Sequence, residues 1–288
     1  MHNAFVADKW LDYQIIDAGE GEKLERWGPV TVVRPDPQII WPRMLPSGDW
    51  TPHMHYRRSK SGGGHWEHLR KSPERWTISY CGLDFIVRPT DFKHMGLFPE
   101  QAANWDWLME LIKSAGRPLR VLNLFGYTGG ASLCCLHAGA ELTHVDAAKG
   151  MNEWAKENMR GAGLQCRLIT DDVYKFVQRE QRRGNCYDGI ILDPPSYGRG
   201  PRGELWKLED RLFALLCACV EILSDRASFM LLNTYTTGFT SIAAENVLRI
   251  ALGKRGVKGD IASAALALPV GGGELLLPCG SSVRFVAG

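Results

Sequence analysis

The chain has 288 residues, of which 45% are hydrophobic and 23% are charged. This length can bury a full core, either as one large domain or as one domain with a smaller companion. With 34 Lys and Arg against 32 Asp and Glu, the formal net charge of +2 excludes a strong global field that would attract a polyanion. Any contact with nucleic acid must therefore depend on local basic patches.

Neither a leader nor a membrane segment is predicted. The N-terminus lacks the positive charge and apolar run of a secretory signal, and the longest apolar run, residues 212–220, is too short to cross a bilayer. Eight cysteines are present without any C-x-x-C spacing, and several lie in apolar stretches that predict helices. These features predict a soluble cytoplasmic protein with reduced cysteines.

Residues 1–90 contain short β-type runs separated by Gly, Pro and Asp turns, without sustained helical periodicity. The runs cover residues 13–16, 30–33, 76–80 and 85–87. The region predicts a small, mainly antiparallel β domain or extension, followed by a larger domain at residues 91–288.

Within this region, residues 50–76 combine basic residues, including Arg57 and Arg58, with interleaved Trp and Tyr residues. Cations for phosphates beside aromatic faces for unpaired bases are typical of single-stranded RNA recognition, which makes Arg57 and Arg58 candidate substrate contacts. A solvated hairpin anchored by its tryptophans is an equally good interpretation. The four histidines of this stretch lack a cysteine or carboxylate at ligand spacing, so no metal site is predicted.

The centre of the chain joins an apolar run, a glycine turn and a run of small residues. Residues 119–124 predict a buried parallel strand, and residues 131–138 predict a helix packed closely on a sheet. The turn between them carries Gly126, Gly129 and Gly130. Strand, glycine turn and helix in this order begin a nucleotide-binding α/β sheet.

A second short strand closes on Asp146, which lies 20 residues after Gly126. A carboxylate at that place can accept hydrogen bonds from ribose hydroxyls, and glycines let the backbone pass close to a ligand. The turn reads Gly-x-x-Gly-Gly and not the Gly-x-Gly-x-x-Gly of dinucleotide sites, which favours a nucleoside ligand without a pyrophosphate. Parallel α/β proteins without a nucleotide also have glycine after a first strand. The later segments must therefore distinguish a nucleotide-binding turn from an ordinary one.

The remainder of the chain alternates strands with helices, which requires a mostly parallel α/β sheet with helices on both faces. Further strands are predicted at residues 166–170, 189–192 and 228–232, and helices at about 151–161, 173–182, 205–223 and 241–252. Two terminal strands, at about 266–269 and 283–287, have only a Gly/Pro loop between them. They must therefore pair as an antiparallel hairpin.

Successive predicted strands end in acids, namely Asp146, Asp172 and Asp193. Ligands of open α/β sheets bind beyond the carboxyl ends of the strands. A helix N-cap explains a single acid of this kind, and Asp172 could cap the helix that follows it. Asp193 fits that explanation less well, because two prolines follow it and no helix begins there.

Four segments in this order resemble the class I S-adenosylmethionine-dependent methyltransferases, and specifically the DPP-motif ribosomal RNA large-subunit methyltransferase family. They are NLFGYTGGAS at 123–132, VD at 145–146, TDDVYKF at 170–176 and ILDPPSYGRG at 191–200. The resemblance runs from about residue 94 to the C-terminus. It implies S-adenosylmethionine as cofactor and a seven-stranded, Rossmann-like sheet with an antiparallel C-terminal hairpin, preceded by the small β-rich domain.

The resemblance also implies a cofactor shell along one edge of the sheet. The glycine turn would lie beneath the methionine moiety, Asp146 on the ribose hydroxyls and Asp172 near the adenine amino group. Gln101 is carried over from the segment HMGLFPEQ, although Ala102 replaces the family's usual arginine. The implied cofactor residues are Gln101, Asn123, Phe125, Gly126, Thr128, Gly129, Asp146, Asp172 and Asp193.

Methyl transfer from a sulfonium is an in-line displacement, so the protein mainly supplies position and dielectric, and no metal is needed. The rigid turn Asp193-Pro-Pro-Ser196 can aim a carboxylate and a carbonyl at an amino or ring nitrogen, and Tyr197 can stack on a flipped base. The predicted catalytic residues are Asp193, Pro194, Ser196 and Tyr197. Arg199 and Arg202 follow in a loop that suits a phosphate backbone, although ordinary exposed loops also carry such charge.

Family members that methylate carbon 5 of cytosine resemble one another in carrying a cysteine nucleophile after the strand at 228–232. Here residues 233–238 read NTYTTG, which disfavours covalent activation of a pyrimidine ring. The sequence therefore predicts a methyltransferase acting on a nucleobase nitrogen in RNA, with ribosomal RNA as the expected partner. The alternatives are a protein or small-molecule substrate, a nicotinamide-dependent oxidoreductase, and an inactive RNA-binding module.

Overall fold

The computed structural model describes residues 4–59, 63–199, 205–273 and 275–288. The chain divides into two compact units. The β unit comprises Val6–Ala103 and Ala267–Pro278, and the α/β unit comprises Met1–Phe5, Asn104–Leu266 and Cys279–Gly288. The functional division predicted after residue 90 stays a prediction, since compactness does not show which segment contacts a substrate.

The β unit is built from short hairpins. Its strands are β2 (Tyr13–Gly19), β3 (Glu22–Trp27), β4 (Val30–Pro35), β5 (Met54–Arg58), β6 (Gly64–His68), β7 (Trp76–Tyr80) and β8 (Leu83–Val87), and they are preceded by β1 (Ala4–Val6), which lies mostly in the α/β unit. Antiparallel pairing joins β2 to β3, β3 to β4, β5 to β6 and β7 to β8, whereas β4 pairs with β5 in parallel. The sequence pattern misses β1, which has only three residues, and β3, β5 and β6, whose charged residues hide the alternation.

The remaining part of the chain alternates strands and helices as predicted. The helices are α1 (Ala102–Ser114), α2 (Gly130–His137), α3 (Lys149–Gly161), α4 (Val173–Arg182), α5 (Leu208–Glu221) and α6 (Ser241–Lys254). The strands are β9 (Arg120–Leu124), β10 (Glu141–Asp146), β11 (Arg167–Thr170), β12 (Gly189–Leu192), β13 (Tyr197–Arg199), β14 (Leu205–Lys207), β15 (Phe229–Thr234), β16 (Gly259–Val270) and β17 (Leu275–Ala287). A 3₁₀ turn, Pro99–Gln101, precedes α1.

In the described residues of the α/β unit, seven strands form a sheet in the order β11-β10-β9-β12-β15-β17-β16. The first five are parallel to one another, and β17 pairs antiparallel with β15. The C-terminal hairpin of β16 and β17 is also antiparallel. The predicted fold, a mostly parallel Rossmann-like sheet with an antiparallel hairpin and a β-rich N-terminal region, is thus confirmed.

The two central strands β12 and β15 are buried along their whole lengths, which explains the apolar runs at residues 189–192 and 229–232. On one face of the sheet, Ile190 and Leu192 pack in a core with α4, α5 and α6. On the other face, Ile191 packs with Phe229 and residues of α1 and α2. Alternate residues of one strand therefore face different helix layers.

Two predictions in this unit are wrong in detail. Residues 205–207, predicted as the start of a helix, form β14, which pairs antiparallel with β13, and α5 begins only at Leu208. The C-terminal strands have 12 and 13 residues and are much longer than predicted. The alanine and glycine residues of these strands weaken the β pattern, so only pairing across the sheet reveals their length.

Candidate active site

Parallel pairing brings the carboxyl ends of three neighbouring strands to one edge of the α/β unit's sheet. Leu124 of β9 is level with Val145 of β10 and with Leu192 of β12. The Asp193 amide, directly after β12, donates to the Leu124 carbonyl at 3.4 Å. The glycine turn and the two acids therefore follow from adjacent strand ends, where open α/β sheets bind ligands.

The turn after β9 has a strained backbone. Phe125 and Tyr127 have φ values of +58° and +50°, and Gly129 has +84°. An L-residue in this left-handed region costs roughly 1–2 kcal/mol, and such strain concentrates at ligand-binding turns. The Gly129 amide donates to the Gly126 carbonyl at 3.0 Å, and α2 begins at the next residue.

Gly126 makes room for a buried histidine. A Cβ atom on Gly126 would lie 2.3 Å from Cε1 of His144. His144 Nδ1 lies 2.8 Å from Ser132 Oγ, which accepts a hydrogen bond from Asn123 Nδ2 at 2.8 Å. Burial lowers the pKa of His144 to about 4, so its imidazole is neutral at neutral pH. The predicted cofactor residue Asn123 thus directs its amide nitrogen into a buried network, and sequence reasoning missed His144.

The Asp146 carboxylate holds the glycine turn. Its Oδ2 accepts from the Tyr127 amide at 2.9 Å, and its Oδ1 accepts from the Ala148 amide at 2.8 Å. Burial raises the pKa of Asp146, and the two amide donors oppose that rise. An ionised carboxylate offers about four acceptor positions, so Asp146 can order the turn and still accept hydroxyl groups of a ligand.

Asp172 caps the helix that follows it, as the sequence allowed. Its Oδ1 accepts from the Lys175 amide at 2.9 Å, in the N-cap position of α4. Its own amide donates to Asp171 Oδ1 at 2.8 Å, and Asp171 is paired with Arg179. Contact between Asp172 and an adenine amino group stays a prediction.

Two asparagines of α3 tie these loops together. Asn152 Nδ2 donates to the Asp146 carbonyl at 3.1 Å and to Thr170 Oγ1 at 2.7 Å. Asn158 Nδ2 donates to the carbonyl of Thr128, a predicted cofactor residue that is itself buried, at 2.9 Å. The sequence offers little signal for this role, because asparagine on an amphipathic helix normally faces solvent.

The turn Asp193-Pro194-Pro195-Ser196 leaves the sheet toward solvent. Asp193 is partly exposed and Pro194 is buried, whereas Pro195 and Ser196 are exposed. Tyr197, which begins β13, is 55% exposed. An exposed tyrosine ring can stack on a planar ligand, and the stacking of Tyr197 on a base stays a prediction.

Side chains distant in the sequence hold this turn. Thr236 Oγ1 donates to Ser196 Oγ at 2.7 Å, and the Leu208 amide donates to the Ser196 carbonyl at 3.1 Å. Trp206 Nε1 donates to the Pro195 carbonyl at 2.6 Å. Sequence reasoning missed Thr236 and Trp206, because nothing in their local patterns indicates a partner in this turn.

The other predicted site residues belong to the β unit, to β13 or to the part of the chain outside the described residues. Gln101 ends the 3₁₀ turn of the β unit and is 7% exposed. Arg57 Nε donates to Glu67 Oε2 at 2.9 Å across the β5–β6 hairpin, next to the exposed Arg58. The backbone of Arg199 belongs to β13, and Arg202 lies outside the described residues.

The aromatic residues interleaved with these arginines are used for packing inside the β unit. The indole N–H groups of Trp50, Trp66 and Trp76 donate to Asp17, to the Thr90 carbonyl and to the Trp27 carbonyl. Tyr56 is 4% exposed. These contacts favour the interpretation in which tryptophans anchor the hairpin over the one in which they stack on bases.

Three other features concern metals, membranes and cysteines. Among the described residues, no group of three or more His, Cys, Asp or Glu side chains is arranged to hold a metal ion. No helix in the described part of the chain is both long and apolar enough to cross a membrane. All eight cysteines are free thiols, and Cys134, Cys135 and Cys219 are fully buried.

Comparison with known proteins shows that this chain is similar to methyltransferases. Residues 51–224 match a family described as S-adenosylmethionine-dependent methyltransferase. A crystal structure of an S-adenosylmethionine-dependent methyltransferase from Agrobacterium tumefaciens is similar over 98% of this chain and 93% of its own. Its sequence identity is 39% and its TM-score 0.92.

Two further similarities are more limited. A ribosomal RNA large subunit methyltransferase K/L from Shewanella baltica is 30% identical over 79% of this chain. The chain spans about a fifth to a third of the length of such curated relatives, with 19% and 32% as examples. A methyltransferase structure complexed with S-adenosylhomocysteine covers 96% of this chain and 76% of its own, at 21% identity and a TM-score of 0.74, and shows the fold alone.

Proposed function

Because the chain belongs to the S-adenosylmethionine-dependent methyltransferase family, we propose that it transfers the methyl group of S-adenosylmethionine to a nucleobase nitrogen in RNA. The observation that carries this proposal is the position of the Asp193-Pro-Pro-Ser196 turn. The Asp193 amide donates a hydrogen bond to the carbonyl of Leu124, the last residue of β9, and the glycine turn follows β9 directly. Family membership decides against the oxidoreductase alternative.

The residues at the strand ends fit the nucleoside of S-adenosylmethionine. The Asp146 carboxylate is ordered by two backbone amides and keeps acceptor capacity for the two ribose hydroxyls. The glycine turn and the partly exposed Asp172 supply the neighbouring contacts of the proposed site. When bound, the cofactor supplies an electrophilic methyl group, and the chain contributes position and dielectric.

The acceptor side of the proposed site favours nitrogen over carbon. The Asp193 carboxylate and a backbone carbonyl of the proline turn are acceptors, which can hold an amino or ring N–H and orient the nitrogen lone pair toward the methyl group. Residues 233–238 contain no cysteine that could add to a pyrimidine ring. Exposed Tyr197 would stack on a base that has left its neighbours.

The RNA part of the proposal rests on the names of relatives and on local charge. Several matched relatives are named as ribosomal RNA large subunit methyltransferases. We propose ribosomal RNA as the partner and the cytoplasm as the compartment. We also retain residues 1–90 as a domain that contacts the substrate through Arg57 and Arg58 and residues 91–288 as the methyltransferase domain.

Methylation of unmodified RNA tests this proposal. Large-subunit ribosomal RNA transcribed in vitro is incubated with the protein and methyl-labelled S-adenosylmethionine, digested to nucleosides and analysed by mass. We expect one labelled N-methylated nucleoside. Label on carbon 5 of a pyrimidine would contradict the assignment of nitrogen, and label only in an added protein or metabolite fraction would support the alternative substrates.

A variant pair tests the role of Asp193 in the same assay. Asp193→Ala should lower kcat about 10²–10³-fold, as expected for loss of a group that positions or stabilises the reacting centre. Asp210→Ala removes an exposed acid of α5 in the same unit and should keep wild-type kcat. Equal rates for the two variants would mean that Asp193 does not position the acceptor.

Salt dependence distinguishes RNA from the other substrates. Binding through phosphate contacts should weaken steeply as salt rises, because bound counterions are released. Arg58→Glu should reduce that slope, whereas a protein or small-molecule substrate predicts weak, salt-insensitive affinity for RNA. An inactive RNA-binding module predicts the slope without any methyl transfer.

A further inference from the structure

Trp206 contacts two loops of the α/β unit that have different roles in the proposed reaction. Its Nε1 donates to the Pro195 carbonyl at 2.6 Å, inside the Asp193-Pro-Pro-Ser196 turn. Its ring lies 5.3 Å from the ring of Phe125, at an interplanar angle of 56°. Phe125 is the first residue of the glycine turn. One side chain thus connects the acceptor turn with the turn of the proposed cofactor site.

The contact with Phe125 falls where the backbone needs support. Phe125 has a φ of +58°, a conformation that L-residues avoid and that persists only when the surroundings hold it. The Phe125 ring packs against Trp206 and against the core beneath the sheet. If the ring of Trp206 were removed, one of the contacts that hold Phe125 in this conformation would be lost.

The contact with Pro195 falls where the acceptor turn is exposed. Pro195 and Ser196 are both exposed, and neither belongs to a strand. The carbonyl of Pro195 accepts from Trp206, and the carbonyl of Ser196 accepts from the Leu208 amide two residues later. The β14 strand and the start of α5 therefore hold the turn from one side.

We propose that Trp206 is a positioning residue that couples the cofactor loop to the acceptor turn, so that donor and acceptor are aligned for methyl transfer. The inference rests on the proposed function. In-line displacement requires reacting atoms held about 3–3.5 Å apart and aligned, and a displacement of about 1 Å can cost 10²-fold in rate. Trp206 acts through Pro195 and Phe125 and does not itself touch the reacting atoms.

The two contacts of Trp206 can be removed one at a time. Trp206→Phe keeps an aromatic ring against Phe125 and removes the N–H group that binds Pro195. It should lower kcat about tenfold, the value of one lost hydrogen bond, with little change in the affinity for S-adenosylhomocysteine. Trp206→Ala removes both contacts and should lower that affinity as well, by about tenfold or less.

A matched control variant distinguishes the positioning role of Trp206 from the general effect of replacing a tryptophan in this unit. Trp107→Phe makes the same replacement in α1, where the Trp107 ring contacts the Phe229 ring edge to face, with 5.8 Å between the ring centroids, in the same unit. It should keep the kcat and the S-adenosylhomocysteine affinity of the wild type. A merely structural role for Trp206 would instead lower the thermal midpoint in Trp206→Phe and leave kcat per folded molecule unchanged, which would overturn the proposal.

A measurement without RNA keeps the inference independent of the substrate. The full-length protein is labelled with 5-fluorotryptophan, and the Trp206 resonance is identified by its absence in Trp206→Phe. Saturation with S-adenosylhomocysteine should shift this resonance by more than its linewidth and leave that of Trp107 in place. An unmoved Trp206 resonance would overturn the coupling.

The outcomes for the two proposals can be told apart. Wild-type protein that binds S-adenosylhomocysteine and shifts Trp206 but labels no RNA would refute the RNA substrate and support the coupling. Labelled RNA, together with an unmoved Trp206 resonance and a wild-type kcat in Trp206→Phe, would support the RNA substrate and refute the coupling. Absence of any S-adenosylhomocysteine binding would refute both.

Discussion

The two compact units place their acidic side chains in different surroundings. In the β unit, Glu25 is fully buried and binds Arg34 at 2.5 Å and the Tyr13 hydroxyl at 2.6 Å. In the α/β unit, Asp146 and Asp172 lie partly exposed at strand ends and accept hydrogen bonds from backbone amides. Removing one partner of a buried acid–arginine pair is strongly destabilising, whereas an acid ordered by backbone amides retains acceptor positions for a ligand.

The same contrast exists within the α/β unit, between opposite ends of the strands. Asp188, just before β12, binds Arg117 through both oxygens, at 2.8 and 3.1 Å. Burial alone would raise the pKa of Asp188, but hydrogen bonds from Arg117 and Ser224 outweigh it and lower that pKa. Asp193, at the other end of β12, opens the proline turn. The acid before β12 is therefore structural, and the acid after it belongs to the proposed site.

The largest expected effect is on the buried pair of the β unit. Glu25→Gln leaves the Arg34 guanidinium without its anion and should lower the free energy of unfolding by about 3–5 kcal/mol. Equilibrium urea denaturation measures the loss. Glu67→Gln, which removes the acid of an exposed pair with Arg57, is the control and should leave the denaturation midpoint unchanged. A small effect of Glu25→Gln would contradict the assignment of Glu25 to stability.

The second effect is the pH dependence caused by His144. Its folded-state pKa of about 4 lies below the ordinary value of 6.5 because of burial, so the unfolded chain binds more protons between these pH values. Stability should therefore be complete above pH 6.5 and fall as pH drops toward 4, by up to about 3 kcal/mol.

Urea denaturation at a series of pH values checks this prediction. His144→Gln should flatten the slope of stability between pH 6.5 and 4. His94 of the β unit, whose pKa burial also lowers to about 4, should retain its own share of the slope. An unchanged slope in His144→Gln would show that the imidazole is not buried in its neutral form.

A smaller effect is expected at the glycine turn. Gly126→Ala places a methyl group against the His144 ring and should cost about 1–3 kcal/mol of stability, as overpacking does. It should also weaken S-adenosylhomocysteine binding, because the turn must move. Gly150→Ala in the first turn of α3 meets no atom within 4 Å and should leave stability equal or up to about 1 kcal/mol higher.

The smallest effect distinguishes capping from ligand binding at Asp172. Asp172→Ala and Thr240→Ala each remove an N-cap, from α4 and α6, and each should cost about 1 kcal/mol of stability. If Asp172 also contacts the adenine, its variant alone should lose affinity for S-adenosylhomocysteine in calorimetric titration. Equal affinity in the two variants would leave Asp172 only its capping role.

Sequence reasoning succeeded where a pattern is local. The apolar run of β12, the glycine turn and the acids at strand ends are each recognised within a few residues, and they correctly placed β9, β10 and β12 and the loops that follow them. It failed at β14 and at β3, whose charged and aromatic residues give no clear period until they are paired across a sheet. Sequence reasoning also explained Gly126 by the close approach of a ligand to the backbone. The contact with the His144 ring is by itself enough to require glycine at this position.

What the sequence by itself determined is the alternation of the main strands and helices after residue 118 and the residue types at their ends, because hydrophobic periodicity and turn chemistry depend on near neighbours. Only the tertiary structure decided which partner each polar group has. It placed His144 against Gly126, paired the Asp172 carboxylate with the Lys175 amide of α4 and brought Trp206 into contact with Phe125 and Pro195. These partners are distant in the chain or depend on side-chain direction, and no local pattern of residues carries that information.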